Sequence, residues 1–254
     1  MSPARRRLLL ALAALVLAGA VAAVVTLVVS SGGDERVRAA DRTTAGAVVL
    51  VPGYGGSTGA LQTLADRLTA AGRTATVVDL PDDGTGDLAA QADVLDAAVQ
   101  RALRAGAPSV DLVGYSAGGV VTRIWLADGG AADTRRVVTL GSPHHGTTLA
   151  AAGTTVGTSA CPQACRQLTP GSRLLADLPE TLPGPAYLSL WTTEDTTVEP
   201  PDSARLQGAT NVVLQDVCPG ARTSHGDLPR DPKVQAIVVA ALSGPALTAP
   251  SSCS

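Results

Sequence analysis

Three residue types, met in one order along this chain, could carry acyl-transfer chemistry. Gly114-Tyr115-Ser116-Ala117-Gly118 matches G-x-S-x-G. The apolar run Val110-Asp111-Leu112-Val113 precedes it, and the helix-compatible stretch Val120–Leu126 follows. A serine at the apex of a strand-to-helix turn projects its hydroxyl above the sheet edge, and the free N–H groups of the new helix face any oxyanion that forms there. Gly114 and Gly118 leave room where a side chain would meet the neighbouring strand or helix. A chain with 27 glycines produces such a pattern by chance too. Ser116 is therefore a candidate nucleophile only if an acid, a base and an oxyanion hole lie elsewhere.

A base that works near neutral pH is most often histidine, and the chain has three. His225 lies in Thr223-Ser224-His225-Gly226-Asp227, after a predicted strand and before the last predicted helix. His144 and His145 lie in Gly141-Ser142-Pro143-His144-His145-Gly146-Thr147, near the site, where shaping the turn or bonding backbone would account for them. His225 is the candidate base. The third member must orient the imidazole and stabilise its cation. Asp195 follows the strand Leu188–Thr193 and precedes Thr196-Thr197-Val198-Glu199-Pro200-Pro201, so it is the candidate acid, with Glu194 and Glu199 as neighbours. An exposed acidic turn is the plainer alternative. The oxyanion donors would be the N–H of Ala117 and one from the loop Val51-Pro52-Gly53-Tyr54-Gly55-Gly56. Proline has no N–H to give, the glycines permit close approach, and Tyr54 is the candidate.

These residues need a frame. Ala47–Val51 is a continuous apolar run, as expected of a strand buried on both faces. Further strands are expected at Thr74–Leu80, Val110–Val113, Arg136–Leu140, Ala186–Trp191 and Asn211–Val217. Helical spacing of apolar residues marks Leu61–Ala71, Leu88–Leu103 and Asp231–Leu242. Strands alternating with helices predict an α/β fold: a doubly wound, mainly parallel sheet with flanking helices. Ligands of such sheets bind at the carboxyl ends of the strands, where Pro52-Gly53, Asp79, Gly114–Ser116, Gly141-Ser142 and Asp195 fall. Residues 147–185 are rich in Gly, Pro, Thr and Ser, and longer than an ordinary connection. A cap over the site and a stapled surface excursion are both open there.

Composition narrows the partners. Formal net charge is −3, and removing the three arginines of residues 1–33 leaves the remainder at −6. There is no basic stripe or aromatic platform, so nucleic acid is not expected. Phe is absent and aromatics are 2%, so the core must be Val, Leu and Ala. Arg5-Arg6-Arg7 and the uncharged run Leu8–Val29 predict an N-terminal hydrophobic helix, either a signal peptide or a membrane anchor, over residues 1–33. Residues 34–45 read as a linker and 46–254 as the main domain. The positive-inside rule places that domain outside the cytoplasm, and membrane contact is expected only through an uncleaved N-terminal segment. Four cysteines allow three pairings, and an exported chain favours disulfides. Cys161 and Cys165 can close a short loop, leaving Cys218 to hold Cys253. The acidic loop Asp79, Asp82, Asp83, Asp87 lacks the end ligand of an EF-hand, and Asp87 or Thr85 suits a helix cap better. No cofactor or metal is expected, and the chain reads as a monomer.

With elbow, glycine loop, acid and histidine in order, the chain resembles secreted actinobacterial triacylglycerol lipases and esterases of the α/β-hydrolase superfamily. The resembling stretches are Val48–Ser57, Leu80–Leu88, Gly114–Trp125, Leu140–Thr147, Trp191–Leu206 and Val217–Leu228. The resemblance implies a compact α/β-hydrolase fold and an ester or lipid substrate. It implies Ser116 as nucleophile, Asp195 as acid, His225 as base, and Tyr54 with Ala117 as oxyanion donors. Many such lipases carry His-Gly where this chain has Pro52-Gly53. The lack of a long apolar helix in 147–185 leans toward short or medium acyl esters. An acyltransferase or thioesterase of the same fold would use the same triad, and an inactive envelope binding module is the rival of another class.

Overall fold

Six parallel strands make one sheet in the computed structural model: β1 (Ala47–Val51), β2 (Ala75–Val77), β3 (Val110–Tyr115), β4 (Thr134–Leu140), β5 (Ala186–Trp191) and β6 (Thr210–Val213). Their order across the sheet is β2-β1-β3-β4-β5-β6, with every neighbouring pair parallel. The structure describes residues 40–157, 160–250 and 252–253, together with Pro3, Arg5 and Gly19. The expected hydrophobic helix and the linker up to residue 39 therefore lie outside the described residues, those isolated positions apart. Among the described residues, no helix is long and apolar enough to cross a membrane.

Strand residues alternate between the two faces of a sheet, and the core divides accordingly. Val49, Val51, Leu112 and Val137 pack under α2 (Leu88–Arg104) and α3 (Ala117–Ala127). Val48, Leu50, Val113, Val138 and Leu188 pack under α1 (Gly59–Ala70) and the C-terminal helix Pro232–Ser243. Covering both faces explains why β1 reads as an unbroken apolar run. Without phenylalanine, the largest fully buried side chains are leucines.

Two expected strands are shorter than their apolar runs. Thr74–Leu80 pairs with β1 only over Ala75–Val77, with Val78 N–H still donating to Leu50. Asn211–Val217 stops as a strand at Val213, where β5 runs out of partners at Trp191, and Leu214–Val217 coils into a helical turn. Three short helices occupy the 147–185 region: α4 (Thr148–Val156), α5 (Gln163–Gln167) and α6 (Arg173–Asp177). The turn Leu214–Val217 is then α7, and Pro232–Ser243 is α8. The Cys161–Cys165 disulfide ties the residues just before α5 to α5 itself, and Cys218–Cys253 ties the tail beyond α8 to the end of α7.

Asp87 caps α2. Its Oδ1 accepts from Ala89 N–H at 3.1 Å and from Gln167 Nε2 at 2.7 Å, while Leu88 N–H donates to Gln167 Oε1 at 2.9 Å. One carboxylate thus caps a helix and holds α5 to it. Asp87→Ala is expected to cost about 1 kcal/mol, the usual scale of a lost N-cap. A lower urea midpoint with an unchanged slope would report it.

At the opposite end of the sheet from the candidate residues, Asp111 is fully buried between Arg73 and Arg135. Both guanidinium groups also donate to Leu242 O, and Arg136 donates to Ala241 O and Gly244 O. Three arginines therefore satisfy the carbonyls that α8 leaves open at its C-terminus, where positive charge is favoured.

Candidate active site

The chain leaves β1 for β2 on one side and reaches β3 on the other, so the strand order reverses between β1 and β3. A crevice opens at the carboxyl ends of such a pair. The loops that leave those two ends are Pro52–Gly56 and the elbow.

Ser116 is the N-cap of α3, with φ 53° and ψ −127°. A non-glycine residue there carries strain of about 1–3 kcal/mol, and the surroundings hold it. Ser116 N–H donates to Leu140 O at 2.9 Å, and Gly119 N–H donates to Ser116 O at 3.0 Å. The two motif glycines are required by contact. A Cβ on Gly114 would sit 2.5 Å from Gly119 Cα, and one on Gly118 would sit 2.2 Å from Val51 O. Gly119, outside the motif, is equally confined, with Ser142 Oγ 2.0 Å from its would-be Cβ.

His225 and Asp195 arrive from loops beyond β6 and β5. His225 Nδ1 is 2.7 Å from Asp195 Oδ2, and its Nε2 is 3.0 Å from Ser116 Oγ. Asp195 Oδ1 accepts from Thr197 N–H at 2.9 Å and Val198 N–H at 2.8 Å. An ionised carboxylate only accepts, so Nδ1 carries the imidazole proton and Nε2 faces the serine hydroxyl as an acceptor. Asp195 is 4% exposed, whereas Glu194 and Glu199 are exposed. Burial, not charge, separates the three acids.

The loop after β1 makes a turn closed by Gly56 N–H donating to Gly53 O at 3.0 Å, with Gly55 at φ 89° in the third position. That φ is of type II and suits glycine. Tyr54 in the second position and Ala117 in the first position of α3 donate no backbone hydrogen bond among the described residues. Gly53 rests on the elbow, since its Cβ would stand 2.7 Å from Ser116 Cβ. Gly56 in turn packs on Asp83, so the acidic loop forms one rim. Among the described residues, no three His, Cys, Asp or Glu side chains are grouped as for a metal ion.

The other two histidines point elsewhere. His144 is fully enclosed, its Nε2 3.1 Å from Thr139 Oγ1. Thr139 donates to Ser189 Oγ, which donates to Ala204 O, so Nε2 must carry the proton. Burial, with the charges of Arg123 and His145, pushes its pKa well below the ordinary value. His145 bonds Glu180 Oε1 at 2.9 Å and Ser203 O at 3.2 Å.

Several supporting residues escape a reading of the sequence. Thr147 Oγ1 donates to Thr197 O at 2.9 Å and accepts from Glu199 N–H at 3.0 Å, which fixes the loop of Asp195. Gly141, at φ 55°, leaves space beside the His–Asp pair: its Cβ would be 3.1 Å from His225 Nδ1 and 3.3 Å from Asp195 Oδ2. Tyr115 fills the x position before the serine and donates from its hydroxyl to His225 O at 3.1 Å. Only the rarity of tyrosine in this chain could have drawn attention to it.

Solved structures share this architecture. Aspergillus fumigatus lipase B superposes with a TM-score of 0.65 at 19% identity, over 81% of this chain and 54% of its own. An Exiguobacterium antarcticum esterase gives 0.60 at 15% identity, over 78% of this chain and 93% of its own. The mature form of a Bacillus licheniformis lipase gives 0.56 at 22% identity, over 66% and 82%. The chain thus spans little more than half the length of the Aspergillus lipase. No curated protein matches it in sequence. The alpha/beta hydrolase family model matches residues 48–248, the strands and loops just described included, and the chain belongs to that family.

Proposed function

We propose that this protein is a serine hydrolase that cleaves carboxylic esters through an acyl-enzyme on Ser116. The observation that carries the reading is the pair of hydrogen bonds linking Ser116, His225 and Asp195 at 3.0 and 2.7 Å. The lipase and esterase folds it is similar to lend further support.

In this reading Ser116 Oγ attacks the ester carbonyl carbon while His225 Nε2 takes the hydroxyl proton. The N–H groups of Tyr54 and Ala117 receive the oxyanion, each donor contributing on the order of 10²–10³-fold in rate. The tetrahedral adduct collapses, and the alcohol leaves with the proton from Nε2. Water then repeats the attack on the acyl-enzyme and releases the acid. Asp195 holds the imidazolium throughout. No step calls on a cofactor. The segment 147–185 would serve as a fixed wall beside the site: Arg123 on α3 donates to Leu178 O, Pro179 O and His144 O. Two disulfides favour an extracytoplasmic location.

Hydrolysis of p-nitrophenyl esters from short to long acyl chains tests the proposal. Wild type should turn over at least the shorter esters, and Ser116→Ala should lose about 10⁴-fold or more in kcat. Folded wild type that hydrolyses none of the series, and leaves Ser116 unlabelled by a fluorophosphonate, would sink the reading and favour a binding module.

A further inference from the structure

Residues 115 and 116 are neighbours on one strand end, yet they reach the same histidine from two sides. Ser116 Oγ meets the imidazole, and the Tyr115 hydroxyl meets the His225 backbone carbonyl at 3.1 Å. The Tyr115 and His225 rings lie 5.3 Å apart at 34°. We infer that Tyr115 is a positioning residue that ties the loop of the base to the strand of the nucleophile and so sets the spacing of Ser116 and His225. The inference rests on the ester-hydrolase reading of the site.

The rest of the His225 loop is held by other parts of the molecule. Thr192 Oγ1 donates to Thr223 O at 2.8 Å, Thr223 Oγ1 donates to Asp231, and Ser224 Oγ donates to Asp227 at 2.5 Å. None of these bonds reaches β3. Among the described residues, Tyr115 makes the one hydrogen bond from β3 to the segment Thr223–Asp227. The nucleophile side is independently rigid, because Ser116 N–H is bonded to Leu140 O. The Tyr115 hydroxyl is therefore the direct tie between the strand that carries Ser116 and the segment that carries His225, whose relative position sets the 3.0 Å contact. The bond needs a neutral phenol, since a phenolate would face a carbonyl oxygen. Burial, followed by the Asp195 charge, pushes the hydroxyl up to about 12, so it remains a donor at any working pH. Proton transfer is steep in distance: a misplacement of about 1 Å can cost on the order of 10²-fold.

Tyr115→Phe keeps the ring and removes the tether. Three quantities would be compared with wild type: kcat per active site titrated with a fluorophosphonate, KM for the best p-nitrophenyl ester, and the low-field proton resonance of His225 Nδ1–H. The expected result is a kcat per titrated site lower by about tenfold, the scale of one lost hydrogen bond, with KM within about twofold and the resonance broadened. Titration corrects for any fraction that fails to fold. An unchanged kcat with an intact resonance would overturn the inference. So would a loss of activity fully explained by fewer titratable sites. If wild type hydrolyses no ester but the resonance broadens in Tyr115→Phe, the ester-hydrolase reading falls and the tether stands.

Discussion

Under the proposed ester-hydrolase reading, Asp195→Asn is expected to lower kcat on p-nitrophenyl esters by about 10³–10⁴-fold, with little change in KM and no loss of fold. The direction follows from the hydrogen bonds of one side chain. Asp195 Oδ1 faces two backbone N–H groups, from Thr197 and Val198, and Oδ2 faces His225 Nδ1. An asparagine has one oxygen, and the two backbone donors claim it. The amide NH2 is then turned on Nδ1. Two donors cannot face each other, so the imidazole proton moves to Nε2. Nε2–H cannot accept the Ser116 proton, and the base is lost while the packing stays. The measurement is kcat and KM beside the melting temperature. A loss below about tenfold in a folded variant would mean that Asp195 does not set the tautomer.

Asp111→Ala is expected to destabilise the domain by about 3–5 kcal/mol, the range found when one partner of a buried ion pair is removed. The carboxylate accepts from Arg73 Nη2 at 2.6 Å, and from Arg135 Nη2 at 2.5 Å and Nε at 3.0 Å. Side-chain exposures are 0% for the acid and 8–9% for the two arginines. Removing the acid leaves two guanidinium groups without a counter-charge beside Arg136. For a domain of this size the melting temperature should fall on the order of 10 °C. Replacing Asp111, Arg73 and Arg135 together by apolar residues should recover part of the loss, because no charge is then left buried. A change under about 1 kcal/mol in Asp111→Ala would show that water reaches the pair and screens it.

The central strands could be read from the sequence because both faces are buried and local composition alone marks them. The elbow could be read because contact with Val51 and Gly119 forces its glycines. Elsewhere, non-local pairing decides. Asp111 looks like a flaw in the apolar run Val110–Val113, since its partners lie 38 and 24 residues away. The end of β6 depends on where β5 stops offering partners, which no property of Asn211–Val217 reveals. The three helices of 147–185 contain few periodic apolar residues; Asp87 and Arg123 hold the segment from outside, and the Cys161–Cys165 link holds it from within. Tyr115 and Gly141 matter through atoms of His225, more than 80 positions further along. Their types are ordinary at those places, so only the assembled loops reveal them.

The disulfide between Cys218 and Cys253 encloses His225, because the base loop and all of α8 lie between its two ends. Ser116 and Asp195 lie outside that ring. When the C-terminal segment opens locally, as terminal elements do, His225 is carried away on a closed loop instead of a free tail. The closed loop has far fewer conformations than a free chain end. The histidine therefore remains at high effective concentration near Ser116 and Asp195 while its own helix is frayed. The ring keeps the C-terminal segment attached at both ends to the region of Ser116 and Asp195.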